Sequence, residues 1–196
     1  MLPTPKTSDA ADRSALKGML VRNSVRFGNF TLASGEKSDV YVDCKLTTYT
    51  PQAMPLIGRL MLRKFAERGW QPEAVGGLTL GADPIAFAIA RESVTEAKSI
   101  PAFVIRKEPK KHGMQRYIEG LDDATGLQVV VIEDVATTGG SALQALEKAK
   151  QAGMRVIGAI CLVDREMGAR QLLEGQHGCP FDSIFKLSDL RPDGHA

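Results

Sequence analysis

Apolar positions recur along the chain in two different periods. Between residues 10 and 25, Leu16, Met19, Leu20 and Val25 fall at helical spacing behind Ser8 and Asp9, either of which suits an N-cap. Residues 29–43 (NFTLASGEKSDVYVD) place Phe30 and Leu32 before, and Val40 and Val42 after, the turn-forming Ser34, Gly35, Glu36 and Lys37, which predicts a hairpin. Thr50 and Pro51 then open a helix through Arg68, with Ile57, Leu60, Met61 and Phe65 on one stripe, Pro55 near its start and Gly69 as its stop. Five short apolar runs follow, at 74–78, 102–105, 128–132, 156–163 and 182–187, each beginning 26 to 28 residues after the last. Helical patterns fill most gaps: 84–92 capped by Asp83, 141–152 closed by Gly153, and 167–173 closed by Gly175. Strand and helix alternating, with runs apolar on both faces, predicts an α/β fold: a mostly parallel five-stranded sheet flanked by helices. Right-handed crossovers put the carboxyl end of every strand on one edge, where such sheets bind ligands.

One gap breaks the pattern. Residues 106–126 (RKEPKKHGMQRYIEGLDDATG) hold Pro109 and Gly113 and no helical stripe, but carry Arg106, Lys107, Lys110, Lys111, His112 and Arg116. Long connections of this kind in a compact domain are usually functional. A length of 196 residues predicts one domain with one sizeable core. The composition, 43% hydrophobic and 24% charged, is that of a globular protein and excludes disorder and a disulfide scaffold. A net charge of +2 provides no global field for nucleic acid or membrane, so any basic site is local. The apolar runs are far shorter than the roughly 20 residues that span a bilayer, and residues 1–12 lack the apolar segment of a signal peptide. With three widely spaced cysteines, Cys44, Cys161 and Cys179, a reduced, cytoplasmic compartment is expected.

The chemistry concentrates at 129–141 (VVVIEDVATTGGS). Four β-branched residues make a buried strand, and two adjacent acids, Glu133 and Asp134, stand where it ends. Val135, Ala136, Thr137, Thr138, Gly139, Gly140 and Ser141 lead into a helix. Glycines there let successive N–H groups point into one concavity, and the helix N-terminus adds positive potential, which together cradle a phosphate monoester. A Walker pattern is excluded because no Lys-Ser or Lys-Thr follows the second glycine, and the three-glycine dinucleotide spacing is absent. Two carboxylates beside a phosphate cradle make sense when the ligand also carries hydroxyl donors or a divalent cation. A ribose 5-phosphate bearing pyrophosphate has both. His177, Cys179 and Cys161 fit no common zinc spacing, and Cys161 suits a small core residue.

The stretch 129–141 closely resembles the phosphoribosyl pyrophosphate motif of the type I phosphoribosyltransferases. FGNFTLASGEKSDVYVD (27–43), RKEPKKHG (106–113) and DREMGAR (164–170) are similar to the orotate phosphoribosyltransferases in particular. The resemblance covers about 27–170 and implies the type I fold, with a core at about 46–175 and a small hood from the N-terminal hairpin region and C-terminus, about 1–45 and 176–196. It implies transfer of the 5-phosphoribosyl group from phosphoribosyl pyrophosphate to N1 of orotate, giving orotidine 5′-monophosphate and pyrophosphate for pyrimidine (UMP) biosynthesis. It further implies Mg2+ without direct protein ligands, and a homodimer with shared active sites. By the resemblance Arg106, Lys107, Lys110, His112 and residues Glu133 through Ser141 bind phosphoribosyl pyrophosphate, Thr137 and Arg165 bind orotate, and Lys110, Glu133 and Asp134 act in catalysis. Lys110 and His112 then reach the pyrophosphate of the neighbouring subunit's site. Cations covering the site are suited to stabilise the departing pyrophosphate and to keep water from an oxocarbenium-like centre. Two positions depart from the family pattern: Ala33 and Gly81 stand where many members carry lysine, and the first acid is Glu133 rather than Asp. Two rivals remain, a phosphoribosyltransferase for another base and a non-catalytic regulator that senses phosphoribosyl pyrophosphate. The latter needs an appended DNA-binding segment, for which residues 1–26 are too short and too neutral.

Overall fold

The computed structural model describes residues 8–31, 37–95, 99–108 and 117–191. Its elements run α1 (Asp9–Asn23), β1 (Val25–Thr31), β2 (Lys37–Val42), α2 (Lys45–Thr48), α3 (Ala53–Arg68), β3 (Ala74–Leu78), α4 (Asp83–Ser93) and β4 (Ala102–Ile105). They continue with β5 (Ile118–Glu119), β6 (Gln128–Ala136), α5 (Gly140–Gln151), β7 (Arg155–Asp164), a wide-turned π-helix at Gln171–Gln176, β8 (Phe181–Lys186) and α6 (Leu187–Leu190). The five apolar runs become β3, β4, β6, β7 and β8, all parallel, in the order β4-β3-β6-β7-β8. The chain steps from β3 outward to β4 and then returns to the far side of β3 with β6, so the order reverses between β3 and β6. Crevices open at such reversals on the carboxyl edge.

A helix stripe and a strand alternation each need a partner face, and here they meet on both sides of one sheet. In β6 side chains alternate. Val130 and Ile132 join Leu16, Leu20, Ile57, Met61, Ile85 and Ile89 in the cluster under α1, α3 and α4. Val129 and Val131 join Leu146, Leu173 and Phe181 in the cluster under α5. Ser8 caps α1 by accepting the Ala11 N–H at 3.3 Å. β1 and β2 pair antiparallel as the expected hairpin, whose turn at 32–36 lies outside the described residues.

Several expectations need correction. The sheet has six strands, because Ile118 and Glu119, in the stretch read as devoid of structure, pair antiparallel with β4. Residue 176 is too early a start for the C-terminal part of the hood, since β8 is hydrogen-bonded to β7 in the main sheet. The N-terminal part shares one apolar cluster with the core through Leu16, Leu20, Val25, Val40 and Cys44. Val25 belongs to β1, not to the helix before it. Asp83 is the first residue of α4 rather than its cap, and its carboxylate accepts the Thr79 hydroxyl at 2.7 Å. The helix expected at 167–173 is shifted toward the C-terminus, because left-handed backbone at Glu166 and Gly168 (φ 60° and 105°) delays its start.

Candidate active site

The end of β6 presents the acid pair to two different environments. Alternation turns Glu133 to the α5 side and Asp134 to the α4 side. Glu133 is 8% exposed. One of its oxygens accepts the Asp134 N–H at 3.3 Å, while Oε2 is buried with no hydrogen-bond partner among the described residues. Burial first, and the neighbouring Asp134 carboxyl second, push Glu133 up to about 8, with Lys107 acting in the opposite sense. An acid held in this way lacks donors, which hydroxyl groups of a ligand would supply.

Asp134 rests against the loop between β3 and α4. A Cβ at Gly81 would overlap the Asp134 carboxylate, so the absence of a side chain at 81 is what lets the acid occupy this place. The same loop carries the Thr79–Asp83 hydrogen bond, and Tyr49 donates its hydroxyl to the Leu80 carbonyl at 3.4 Å. Beyond the acids, Val135 and Ala136 complete β6 and residues 137–139 turn into α5. Gly139 takes φ 90°, a conformation an L side chain resists, and a Cβ there would come within 3.1 Å of Ala169 Cα. No side chain caps α5. Thr138, Gly140 and Ser141 are exposed at the start of a twelve-residue helix, whose first amides lack intrahelical partners and so suit an anion.

Arg165 follows β7 and is 9% exposed. Its Nη2 donates to Ser38 Oγ at 3.1 Å and to the Val40 carbonyl at 3.4 Å, and its Nε is buried without a partner among the described residues. It thus lies between the hairpin and the sheet edge with one donor free. Asp164 holds the following turn by accepting the Glu166 N–H at 2.8 Å. Arg106 and Lys107 extend from β4, exposed. Arg106 N–H bonds the Tyr117 carbonyl at 2.9 Å and its guanidinium lies 3.6 Å from Glu119. Lys37 is exposed and donates to Thr31 Oγ1 at 2.9 Å. Lys110, His112 and Ala33 lie outside the described residues.

The carboxyl edge therefore gathers Glu133, Asp134, 137–141, Arg165 and the stem of the basic segment, from β6, α5, β7 and β4. Sequence reasoning missed Ser38 and Thr79 as neighbours of Arg165 and Asp83. It also missed Lys148, which lies in α5 within an ordinary-looking EKAK run; nothing local distinguishes it. Among the described residues no group of three or more His, Cys, Asp or Glu could hold a metal ion, and no helix is long and apolar enough to cross a membrane. A half-open cleft of about 310 Å³ lies apart from the acid pair, between β5, the 121–125 turn and the end of α5.

A parallel sheet whose order reverses beside a glycine-bearing helix start and paired acids is an architecture suited to a phosphorylated ligand. Residues 48–180 match the phosphoribosyl transferase domain family. The orotate phosphoribosyltransferase of Aquifex aeolicus is 46% identical over 182 residues, 91% of this chain and 97% of that one. The solved Mycobacterium tuberculosis orotate phosphoribosyltransferase superposes with a TM-score of 0.80 at 44% identity, covering 92% of this chain and 99% of that one. A structure of the M. tuberculosis protein in complex with 5-phospho-α-D-ribosyl 1-diphosphate gives 0.75 at 40%, covering 91% and 98%. The chain belongs to the phosphoribosyl transferase domain family, in its orotate phosphoribosyltransferase branch.

Proposed function

We propose that this chain transfers the 5-phosphoribosyl group from phosphoribosyl pyrophosphate to N1 of orotate, releasing orotidine 5′-monophosphate and pyrophosphate, as a step of pyrimidine synthesis. The observation that carries the reading is the buried carboxyl oxygen of Glu133, without a hydrogen-bond partner among the described residues, six residues before the glycine N-cap of α5. One feature asks for hydroxyl donors and the other for an anion, and a ribose phosphate carries both groups.

In this reading the amides of 137–141 hold the 5-phosphate, and Glu133 and Asp134 accept hydrogen bonds from the ribose diol. Arg165 offers its free Nε and guanidinium face to the orotate carboxylate, with Thr137 alongside. Arg106 and Lys107 bind pyrophosphate oxygens; Lys110 and His112 do so in the site of a partner subunit. The C1′–oxygen bond to pyrophosphate loosens first, and the cations around the leaving group stabilise its growing charge. Orotate is acidic at N1, so no strong general base is required of the protein.

The donor set bears on magnesium too. Among the described residues no cluster of three acids, histidines or cysteines could hold a metal ion directly, which suits a hard cation that would keep its waters and be held by the substrate's oxygens. When bound, magnesium would neutralise the diol–pyrophosphate side of the donor substrate. The protein's part is to hold Glu133 and Asp134 where they orient that diol.

A homodimer with shared sites in the cytoplasm completes the proposal. Large apolar side chains at Tyr49, Leu80, Phe87 and Val94 are exposed on the α2–α4 side, a surface that suits a second copy. The deciding experiment is pyrophosphate release with orotate, uracil, adenine or hypoxanthine as acceptor. Turnover with orotate and not the others is expected; turnover with a purine would assign another acceptor, and binding of the ribosyl donor with no turnover would point to a sensor.

A further inference from the structure

The stem of the basic segment is fastened to the helix that carries the phosphate cradle. Lys148, in the third turn of α5, is only 9% exposed. Its ammonium donates to the Arg106 carbonyl at 2.9 Å and to the Lys107 carbonyl at 2.7 Å. The same nitrogen stands 4.4 Å from the centroid of the Tyr117 ring, and Tyr117 in turn accepts the Arg106 N–H. One buried cation thus touches both ends of segment 106–117.

Burying an ammonium is costly unless its donors are used, and a lysine in a helix facing a sheet is rare. Here two protons go to carbonyls and an aromatic face takes up the remaining charge. Burial still lowers the Lys148 titration, so the position favours a neutral residue on solvation grounds alone. The chemistry gained is geometric. A trans peptide holds C=O and N–H on opposite sides, so pulling the carbonyls of 106 and 107 toward Lys148 turns the N–H groups of Lys107 and Glu108 the other way. Lys107 is near enough to Glu133 to oppose its upward shift. Because α5 begins at Gly140, in the cradle, Lys148 makes the cradle and the Arg106–Lys107 stem parts of one rigid unit.

We infer that Lys148 is a positioning residue: it fixes the main chain of Arg106 and Lys107 to α5, and so sets the distance between the pyrophosphate-binding cations and the 5-phosphate cradle. This rests on the proposed assignment of Arg106 and Lys107 to pyrophosphate.

The test is steady-state kinetics of the whole enzyme in the reverse direction, where orotidine 5′-monophosphate uses the cradle and acids while pyrophosphate uses the stem. Lys148→Met keeps the aliphatic volume and removes every donor. The KM for pyrophosphate is expected to rise roughly tenfold, the scale of one or two charge-assisted hydrogen bonds, while that for orotidine 5′-monophosphate stays within about twofold. If both KM values move together, if neither moves, or if the change is confined to kcat, the inference is overturned. A variant carrying Arg106→Ala with Lys107→Ala separates this from the underlying assignment. Should that variant leave the pyrophosphate KM unchanged, the assignment falls and the inference with it; should it raise that KM while Lys148→Met does not, the inference alone falls. If Lys148→Met does not fold, Lys148→Gln, whose shorter neutral amide cannot supply the ammonium's charge, must show the same split. Failure of both to fold would make Lys148 a structural group only and overturn the positioning role.

Discussion

Glu133 keeps one carboxyl oxygen buried without a donor among the described residues, and this makes its protonation a property of the fold. Its ordinary value is 4.5 and burial with Asp134 raises it to about 8. The folded ligand-free protein therefore binds a proton here that the unfolded chain releases above about pH 4.5, and stability falls as pH rises from there through about 8. Glu133→Gln cannot titrate. Relative to the parent its melting temperature is expected to improve between pH 5 and pH 8, by thermal denaturation without ligand; a constant difference would refute the assigned cause. At Gly81 the argument is steric. Gly81→Ala must displace the Asp134 carboxylate, and a misplaced acid at a reacting sugar is expected to lower kcat/KM by roughly 10- to 100-fold, measured by pyrophosphate release. A lysine at 81 meets the same obstacle in this backbone.

At the scale of elements, charge decides how α1 is held. Asp12 is fully buried, yet it receives two bonds from Arg59, at 2.9 and 2.7 Å, and one from Arg63 at 2.9 Å. Arg59 also lies 3.9 Å from Glu92 of α4. The group joins α1, α3 and α4. Removing one partner of a buried pair leaves the others uncompensated, so Asp12→Ala is expected to cost about 3–5 kcal/mol, read as a lower urea midpoint. An effect below about 1 kcal/mol, typical of solvated pairs, would show that the network is solvated. The hairpin has a charge clasp of its own: Arg191 holds Asp39 through two bonds, at 2.9 and 3.3 Å, and lowers its titration.

For the whole molecule, the proposed dimer and its shared sites make two predictions. Exposed Phe87 lies on α4 and Val94 just past its end, seven residues on, and Leu80 precedes the helix. Phe87→Asp is expected to shift the protein toward monomer in sedimentation and to lose activity in parallel; an unchanged mass would move the interface elsewhere. Mixing a Lys110→Ala chain with an Asp134→Asn chain is expected to restore about a quarter of parental activity if sites are shared and subunits exchange freely, as one hybrid site in two is intact in half of the dimers. No recovery after proven exchange would place each site within one chain.

The amino-acid order by itself determined the alternation of five apolar runs with amphipathic helices, the position of the acids at the end of one run, and the small residues that follow. These are local matters of period and turn chemistry, settled within about a dozen residues. Tertiary structure alone decided which strands are neighbours, and so that the loop at Gly81 abuts Asp134 and that Arg165 meets Ser38 from 127 residues away. It also made a strand of Ile118 and Glu119, too short to show a period, by giving them the edge of β4. The same holds for Lys148: on a helix any lysine reads as a solvent-facing charge, and only the packing of α5 against the end of β4 turns this one inward, onto two carbonyls 41 and 42 residues away.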